Sequence, residues 1–136
     1  MQEFEVLSYD DKVVKEICYH CGSKTAKASY NYFRRLIYVG GSKVWSKDGR
    51  PIGFYLAMRA RDHIRLIEIA VMSDCQGQGY GRMMLYDLLK SMKVVGLNTL
   101  TMRTPINETA IDFWVHMGAK ITGLKQEDYT LEICIL

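Results

Sequence analysis

Three glycines in five residues, Gly77, Gly79 and Gly81, join an apolar run to a helical pattern. The run Leu66 to Val71 has the composition of a buried strand, and apolar residues recur at helical spacing from about residue 79 to 95. Glycine permits positive φ and leaves no Cβ in the path of a ligand. A strand, a glycine turn and a helix predict an anion site, because main-chain N–H groups and the positive end of the helix dipole meet there.

Two common glycine-rich phosphate sites do not match this turn. A P-loop requires Lys and then Ser or Thr after its last glycine, whereas Arg82 and Met83 follow Gly81. A dinucleotide-binding fold needs Gly-x-Gly-x-x-Gly near the start of a parallel sheet. Here the glycines alternate strictly, and a hairpin with an Asp48-Gly49 turn signal precedes them. The turn therefore predicts a different phosphate ligand.

The whole chain of 136 residues is expected to form one mixed α/β domain with helices on the faces of its sheet. We expect Gly96 and Gly118 to end helices, and Pro105 to break the strand before it. The predicted strands cover 4–7, 44–45, 51–59, 63–71, 99–103, 120–125 and 129–136, and the predicted helices cover 10–20, 25–37, 79–95 and 107–118.

Charge and composition argue against several classes of protein. The net charge is +3 and the basic residues are scattered, which is not typical of a nucleic-acid-binding surface. No apolar run reaches the roughly 18 residues that span a bilayer, and the acidic N-terminus is unlike a signal peptide, so we expect a soluble cytoplasmic protein. Cys18 and Cys21 have a CxxC spacing, but Cys75 and Cys134 form no second pair, so no metal site is expected.

The glycine turn and a later helix together resemble a known family. The pattern Gln76-x-x-Gly79-x-Gly81 behind Ala70-Val71 resembles the acetyl-CoA-binding motif of the GNAT superfamily of N-acyltransferases. The segment 107–118, with Asn, Ala, Phe, Trp and Gly at matching positions, is similar to the family's next helix, and 49–53 is similar to its hairpin. The resemblance implies a single-domain GNAT-like fold, with a mostly antiparallel central sheet that is flanked by helices and splayed at the acetyl-CoA-binding strand.

The resemblance also implies where acetyl-CoA binds. Main-chain N–H groups from Gln76 to Arg82 would hold the pyrophosphate, and main-chain groups near Ile69 to Val71 would pair with the pantetheine amides. Asn107 would contact the cofactor arm, in addition to capping its helix. The residues implied in cofactor binding are Ile69, Ala70, Val71, Gln76, Gly77, Gln78, Gly79, Tyr80, Gly81, Arg82, Asn107 and Trp114.

Acetyl transfer to an amine requires a base, because an alkylammonium near pKa 10 must lose its proton before it attacks. Glu68 is the candidate general base, since a carboxylate inside an apolar strand is uncommon without a role. Alternatively, Glu68 faces a solvated edge or pairs with Arg59 or Arg65. His63 and His116 are further candidates for the base.

The general acid is less clearly indicated by the pattern. Many relatives carry a tyrosine just after the position of Phe113, whereas this chain has Trp114. An indole N–H donates a hydrogen bond but does not act as an acid at neutral pH. Tyr80 is therefore a candidate acid, with Tyr86, Tyr129 and water as alternatives, and Trp114 is also consistent with a core residue.

The expected function is an acyltransferase that moves acetyl from acetyl-CoA to a primary amine of a small molecule or peptide by direct attack in a ternary complex. We expect a monomer or homodimer with no metal and no membrane partner. The alternatives are a non-catalytic acyl-CoA-binding regulatory module, and a structural or nucleic-acid-interacting domain. Six aromatic and acidic residues could form an acceptor pocket for a cationic amine, or else belong to ordinary surface: Tyr30, Tyr32, Phe33, Asp62, Glu127 and Asp128.

Overall fold

The computed structural model describes residues 5–7, 12, 16, 43–106, 110–126 and 128–135. The strands in this part of the chain are β1 (Glu5–Leu7), β2 (Lys43–Lys47), β3 (Arg50–Arg59), β4 (Ile64–Val71), β5 (Thr99–Pro105), β6 (Lys120–Lys125) and β7 (Asp128–Cys134). The helices are a 3-10 turn (Ser73–Cys75), α1 (Tyr80–Val94) and α2 (Ala110–His116).

The seven described strands form one sheet in the order β1-β2-β3-β4-β5-β7-β6. Neighbouring strands run antiparallel except for β4 and β5, which are joined through α1 and run parallel. The prediction of a mostly antiparallel mixed sheet with helices is therefore confirmed. Lys12 and Glu16, from the predicted helix 10–20, are both helical, whereas the predicted helix 25–37 lies outside the described residues.

The predicted hairpin turn is present between β2 and β3. Asp48 has φ 53° and Gly49 has φ 75°, so both central residues are left-handed. This conformation matches the twist of two paired strands and explains the Asp-Gly sequence.

Glycines end both described α-helices, as predicted. Gly96 has φ 79°, and the Leu97 N–H after it donates to the Met92 carbonyl at 3.0 Å. Gly118 has φ 92°, and the Ala119 N–H after it donates to the Trp114 carbonyl at 2.9 Å. Both ends are Schellman motifs, in which a left-handed glycine lets the chain turn back onto the last carbonyl groups of the helix.

β5 runs two residues further than the predicted strand 99–103 and ends at Pro105 itself. β5 includes Thr104 and Pro105, which pair with Tyr129 and Asp128 of β7. By this point β5 has diverged from β4, so it has a hydrogen-bonded neighbour on one side only. Proline is tolerated at the end of a strand that has a neighbour on one side only, because the N–H that proline lacks is not required for pairing on the open side.

The core lies between α1, α2 and one face of the sheet. Leu85 and Met84 of α1 are fully buried there, and Trp114 of α2 is 5% exposed. Full burial of one such side chain contributes about 1.5–3 kcal/mol. The buried residues that meet them from the sheet include Tyr55, Ala57, Leu66, Leu100, Met102, Leu131 and Ile133.

A polar contact also attaches α1 to the sheet. The buried Tyr55 hydroxyl donates to Asp87 Oδ2 at 2.7 Å, and Lys43 Nζ lies 3.0 Å from the same oxygen. Burial, and then the hydrogen bond to Asp87, raise the pKa of Tyr55 above its ordinary value. The contact fixes the helix that carries the glycine turn at its N-terminus.

Candidate active site

A cleft opens where β4 and β5 separate. The two strands pair only at Ile64 with Leu100 and at Arg65 with Thr101. Beyond these pairs β4 continues to Val71 and β5 to residue 105. The separation leaves main-chain edges of both strands facing a cleft of about 750 Å³. The predicted splay at this strand is therefore confirmed.

A β-bulge in β4 sets the direction of the side chains in the cleft. Leu56 pairs with Glu68 and Ala57 pairs with Leu66, so Ile67 is an additional residue in β4. Paired residues place their side chains on the same face of a sheet. Since Tyr55 packs in the core with α1, its neighbour Leu56 and the paired Glu68 lie on the opposite face.

The cleft is lined from both faces of the sheet. On the side of α1 and α2 its wall includes Gly77, Gly79, Gly81, Arg82, Phe113, Trp114, His116 and Met117. On the opposite face its wall includes Arg65, Ile67, Glu68, Arg103 and Asp128. The cleft thus passes between β4 and β5 and connects the glycine turn with the bulge.

Two of the three glycines in the glycine turn have a backbone conformation that favours glycine. Gly77 and Gly79 have φ of 78° and 87°, which side chains rarely adopt, although a Cβ at either would meet no described atom within 4 Å. Gly81 lies inside α1, and a Cβ there would make only an ordinary contact with the Phe113 ring, at 3.7 Å. The backbone therefore favours glycine at positions 77 and 79, whereas position 81 has room for a Cβ.

Gln76 braces the turn through its side chain. Its Nε2 donates to the main-chain oxygen of Val71 at 2.9 Å, which joins the turn to the end of β4. The helical hydrogen bonds begin with the Met83 N–H, which donates to Gly79 O at 3.1 Å. The N–H groups of Gly81 and Arg82 therefore lie at the N-terminal end of α1, where a helix offers donors to an anion.

Two basic side chains meet beside this end of α1. Arg82 Nη2 lies 3.4 Å from His116 Nε2, and both residues line the cleft. The ion pairs found among the described residues do not include Arg82. A cation near a helix N-terminus is unfavourable by itself, so this arrangement suits an anionic ligand that both groups contact.

The β2–β3 hairpin packs against β4 and α1, the two elements that the glycine turn connects. A Cβ on Gly53 would lie 2.4 Å from the Ala70 carbonyl oxygen and 3.3 Å from the Met84 side chain. Only glycine therefore lets β3 pack this closely to both β4 and α1. Arg50 forms an ion pair with Asp74 in the 3-10 turn.

Glu68, the candidate base, is half-buried and lines the cleft directly after the bulge. The Ile69 N–H donates to Glu68 Oε1 at 3.2 Å. Ile69 and Val71, whose main chains are implied in cofactor binding, pack their side chains against the core, and Ala70 is buried. This part of β4 thus combines an apolar helix-facing side with a carboxylate on the other face.

The candidate acids occupy different surroundings. Tyr80 is 6% exposed and packs with Ile52 and Cys75, where it forms part of the cleft wall. Trp114 is buried beside Phe113, with ring centroids 5.0 Å apart in an edge-to-face arrangement, and also lines the cleft. Tyr86 is 54% exposed on α1, and neither it nor Tyr129 is among the described lining residues.

His63 is remote from the candidate site. Its Nδ1 lies 2.8 Å from Asp62 Oδ1 in the turn between β3 and β4, outside the described wall of the cleft. The hydrogen bond with His63 lowers the pKa of the exposed Asp62 carboxyl. Asn107, which was predicted to contact the cofactor arm, lies outside the described residues, as do Cys18 and Cys21.

Sequence reasoning missed the role of Arg103 in the cleft wall. Arg103 Nη2 lies 2.9 Å from Asp128 Oδ2, and both residues line the cleft on the face of Glu68. Alternation along β5, with Met102 and Thr104 buried on either side, is the signal that places Arg103 on the polar face. Asp128, the partner of Arg103, is brought to it by the pairing of β5 with β7. The alternation along β5 gives no information on that pairing.

Neither a membrane-spanning helix nor a metal-binding cluster occurs among the described residues. None of the helices described above is long and apolar enough to cross a membrane. Across the same residues, no group of three or more His, Cys, Asp and Glu side chains is arranged to hold a metal ion.

The fold is similar to that of solved acetyltransferases. PaiA N-acetyltransferase from Thermoplasma acidophilum, solved with coenzyme A, has a TM-score of 0.87 at 14% identity, over 98% of this chain and 100% of that chain. The ribosomal-protein-S18-alanine N-acetyltransferase of Escherichia coli has a TM-score of 0.83 at 19% identity, over 98% and 94%. A Bacillus subtilis acetyltransferase with CoA has a TM-score of 0.78 at 15% identity and full coverage of both chains.

Comparison of the sequence with family models identifies the family. No curated protein sequence matches the chain. The model of the acetyltransferase (GNAT) family matches residues 12–119, which include the glycine turn, the splayed strands and α2. Because this match spans most of the 136 residues, the chain belongs to the acetyltransferase (GNAT) family.

Proposed function

We propose that the protein is an N-acetyltransferase that moves an acetyl group from acetyl-CoA to a primary amine of a small molecule or peptide. The observation that carries this proposal is the cleft that connects the glycine turn with Glu68 through the gap between β4 and β5. Such a passage lets a phosphate-anchored donor and an amine approach each other from opposite faces of the sheet. We propose direct attack within a ternary complex.

Acetyl-CoA is bound through its pyrophosphate and through its pantetheine arm. The pyrophosphate is bound by main-chain N–H groups between Gln76 and Arg82, and the Arg82–His116 pair adds positive charge beside them. The pantetheine amides pair with main-chain groups of Ile69 to Val71, which lie on the β4 edge that β5 has left. Trp114 and Phe113 form an apolar wall for the arm, and the family resemblance alone adds a contact from Asn107.

The reacting groups meet at the bulge. Glu68 accepts a proton from the incoming ammonium, and the neutral amine then attacks the thioester carbonyl to form a tetrahedral intermediate. The Ile69 N–H, which contacts Glu68 Oε1 in this structure, becomes a donor to the carbonyl oxygen when the carboxylate turns toward the amine. Collapse of the intermediate breaks the C–S bond, and the thiolate takes a proton from Tyr80 or from water. The attacking nitrogen loses its second proton, which restores the donor directly or through solvent, and the products are the neutral amide and CoA thiol.

A second reading, a non-catalytic acyl-CoA-binding module, is favoured by one observation. Trp114 occupies the position at which many relatives carry an acidic tyrosine hydroxyl, and it is buried in the core. An indole in that position can donate a hydrogen bond but supplies no proton to the leaving thiolate.

Two measurements separate these readings. Acetyl-CoA at a hundred times its Kd is expected to stabilise the native state by about 2.7 kcal/mol, because it binds only the folded protein. Release of free thiol from acetyl-CoA, measured across a panel of primary amines, is expected to depend on the amine. Stabilisation without thiol release would support the module, and a failure to stabilise would contradict both readings.

A further inference from the structure

We infer that the acceptor carries an anionic group near its amine, and that Arg65 binds that group. This inference rests on the proposed acetyltransferase function and names the acceptor class and a specificity-determining residue. The chemistry required of the anion is that of a carboxylate or a phosphate, both of which match the planar fork of a guanidinium.

Arg65 lies at the innermost point of the gap between the two strands. It forms the last pair with Thr101 before β4 and β5 separate. Its other partner is Met58 on β3, two residues along from Leu56, so Arg65 and Glu68 lie on the same face of the sheet. Arg65 is exposed and lines the cleft, which puts its charge on the side from which the amine approaches.

The other cations of the cleft wall are already in contact with a partner. Arg103 contacts Asp128 at 2.9 Å and the Lys125 carbonyl oxygen at 3.4 Å. Arg82 contacts His116 on the side of the glycine turn. Within the part of the chain that the structure describes, the Arg65 side chain makes neither a hydrogen bond nor an ion pair. Among the described cations of the cleft wall, Arg65 is thus the one available to a ligand on the face opposite α1 and α2, which we call the acceptor face.

The distance between Arg65 and Glu68 along β4 suits a single acceptor that carries both an amine and an anionic group. Arg65 and Glu68 are three residues apart, so their Cα atoms are separated by about 10 Å or less at about 3.3 Å per residue. An arginine side chain spans much of that distance. An amine beside Glu68 and an anion a few bonds away can therefore contact both groups at once.

The acidic pocket considered from the sequence does not form among the described residues. Asp62 lies in the β3–β4 turn, outside the described wall of the cleft, and contacts His63. Asp128 lies in the wall, but Arg103 balances its charge. Tyr30, Tyr32, Phe33 and Glu127 are outside the described residues. The described cleft wall on this face of the sheet therefore shows no cluster of carboxylates for a polycation, and it includes the cation Arg65 as well as the carboxylate of Glu68.

The first test compares acceptors that differ only in the anionic group. Matched pairs are 4-aminobutyrate with 4-aminobutanamide, Ala-Glu-amide with Ala-Gln-amide, and Ala-phosphoserine-amide with Ala-Ser-amide. We expect at least one charged member to have a KM at least tenfold below that of its neutral partner, and the peptide pairs distinguish carboxylate from phosphate. Equal KM values within all three pairs would overturn the inference.

Variants assign the effect to Arg65. Arg65→Gln is expected to raise the KM of the charged acceptor at least tenfold and to change that of the neutral one less than twofold, while Arg65→Lys retains part of the preference. Arg59→Gln is the matched control, because Arg59 is exposed at the end of β3 and is not among the described residues of the cleft wall. A rise in KM for both members alike would contradict a specific contact.

A binding measurement keeps the inference testable without turnover. The probes are N-acetyl-4-aminobutyrate and its carboxamide, titrated calorimetrically into the protein saturated with CoA. We expect the carboxylate to bind at least fivefold more tightly, and Arg65→Gln to remove the difference. If no amine is acetylated but this difference is found, the proposed function fails and the anion site stands. Equal binding, or no binding of either probe, would overturn the anion site.

Discussion

Glu68 depends on its neighbour Ile67 for its position. Because Ile67 is the additional residue of the bulge, Leu66 and Ile69 both pack toward the helices although they are three residues apart. In a regular strand, residues with this spacing would lie on opposite faces. The bulge therefore turns the carboxylate toward the acceptor face while β4 keeps its apolar contacts on the other.

We expect Glu68→Gln to lower kcat at least tenfold while the Kd for acetyl-CoA stays within twofold. The amide cannot accept the proton of the ammonium, but it keeps the size of the side chain and its hydrogen-bonding oxygen. Steady-state kinetics and calorimetric titration measure the two quantities. Glu132→Gln is the control, because Glu132 lies on the same face but on β7, outside the described cleft wall. Unchanged turnover in Glu68→Gln would end its candidacy as the base.

At the scale of elements, α1 has left-handed glycines near both ends, and only one of them borders the cleft. Gly79 precedes the helix with φ 87°, and Gly96 follows it with φ 79°. A Cβ at either position meets no described atom within 4 Å. The two positions thus have similar backbone strain and differ in their distance from the candidate phosphate site.

We expect Gly79→Ala and Gly96→Ala each to lower the free energy of unfolding by about 1–2 kcal/mol, the usual penalty for a left-handed non-glycine residue. Gly79→Ala is also expected to weaken acetyl-CoA binding at least tenfold, because the turn can no longer direct its N–H groups. Urea unfolding and calorimetry check both effects. Equal affinities in the two variants would place the phosphates elsewhere.

The contact of Tyr55 with Asp87 is a second property of α1. We expect Tyr55→Phe to lower the free energy of unfolding by about 1–2 kcal/mol, because a part-buried carboxylate loses a hydrogen bond. Tyr86→Phe, on the exposed side of the same helix, should change it by less than 0.5 kcal/mol. Urea unfolding measures both variants.

The same contact predicts a pH dependence. The pKa of Tyr55 is raised in the folded state, so the folded protein holds this proton more tightly than the unfolded chain does. The resulting stabilisation is fully present below the ordinary tyrosine pKa of about 10 and declines as the pH rises above it. Unfolding measured from pH 8 to 11 should therefore show a steeper loss in wild type than in Tyr55→Phe, and parallel curves would contradict this.

At the scale of the whole molecule, the sequence predicts turns and helix ends, but it does not predict which strands pair with each other. The Asp48-Gly49 turn and the ends at Gly96 and Gly118 are encoded within a few residues, so the pattern alone indicates them. The bulge at Ile67 and the contact of Arg103 with Asp128 depend on which strands are neighbours, and composition does not contain that information. The splay of β4 from β5 was expected only through the family resemblance, because no local pattern distinguishes a strand that leaves its neighbour.

The passage between β4 and β5 has a consequence for the kinetics. A cleft whose wall takes residues from both faces of the sheet would, under the proposed mechanism, allow the acetylated amine to depart on one side while CoA still occupies the other. Initial-rate plots for the two substrates should then intersect rather than run parallel. CoA should inhibit competitively against acetyl-CoA, and it should not be competitive against the amine. Under the proposed mechanism, the gap in hydrogen bonding that interrupts this sheet would let two substrates share one reaction centre without sharing an entrance.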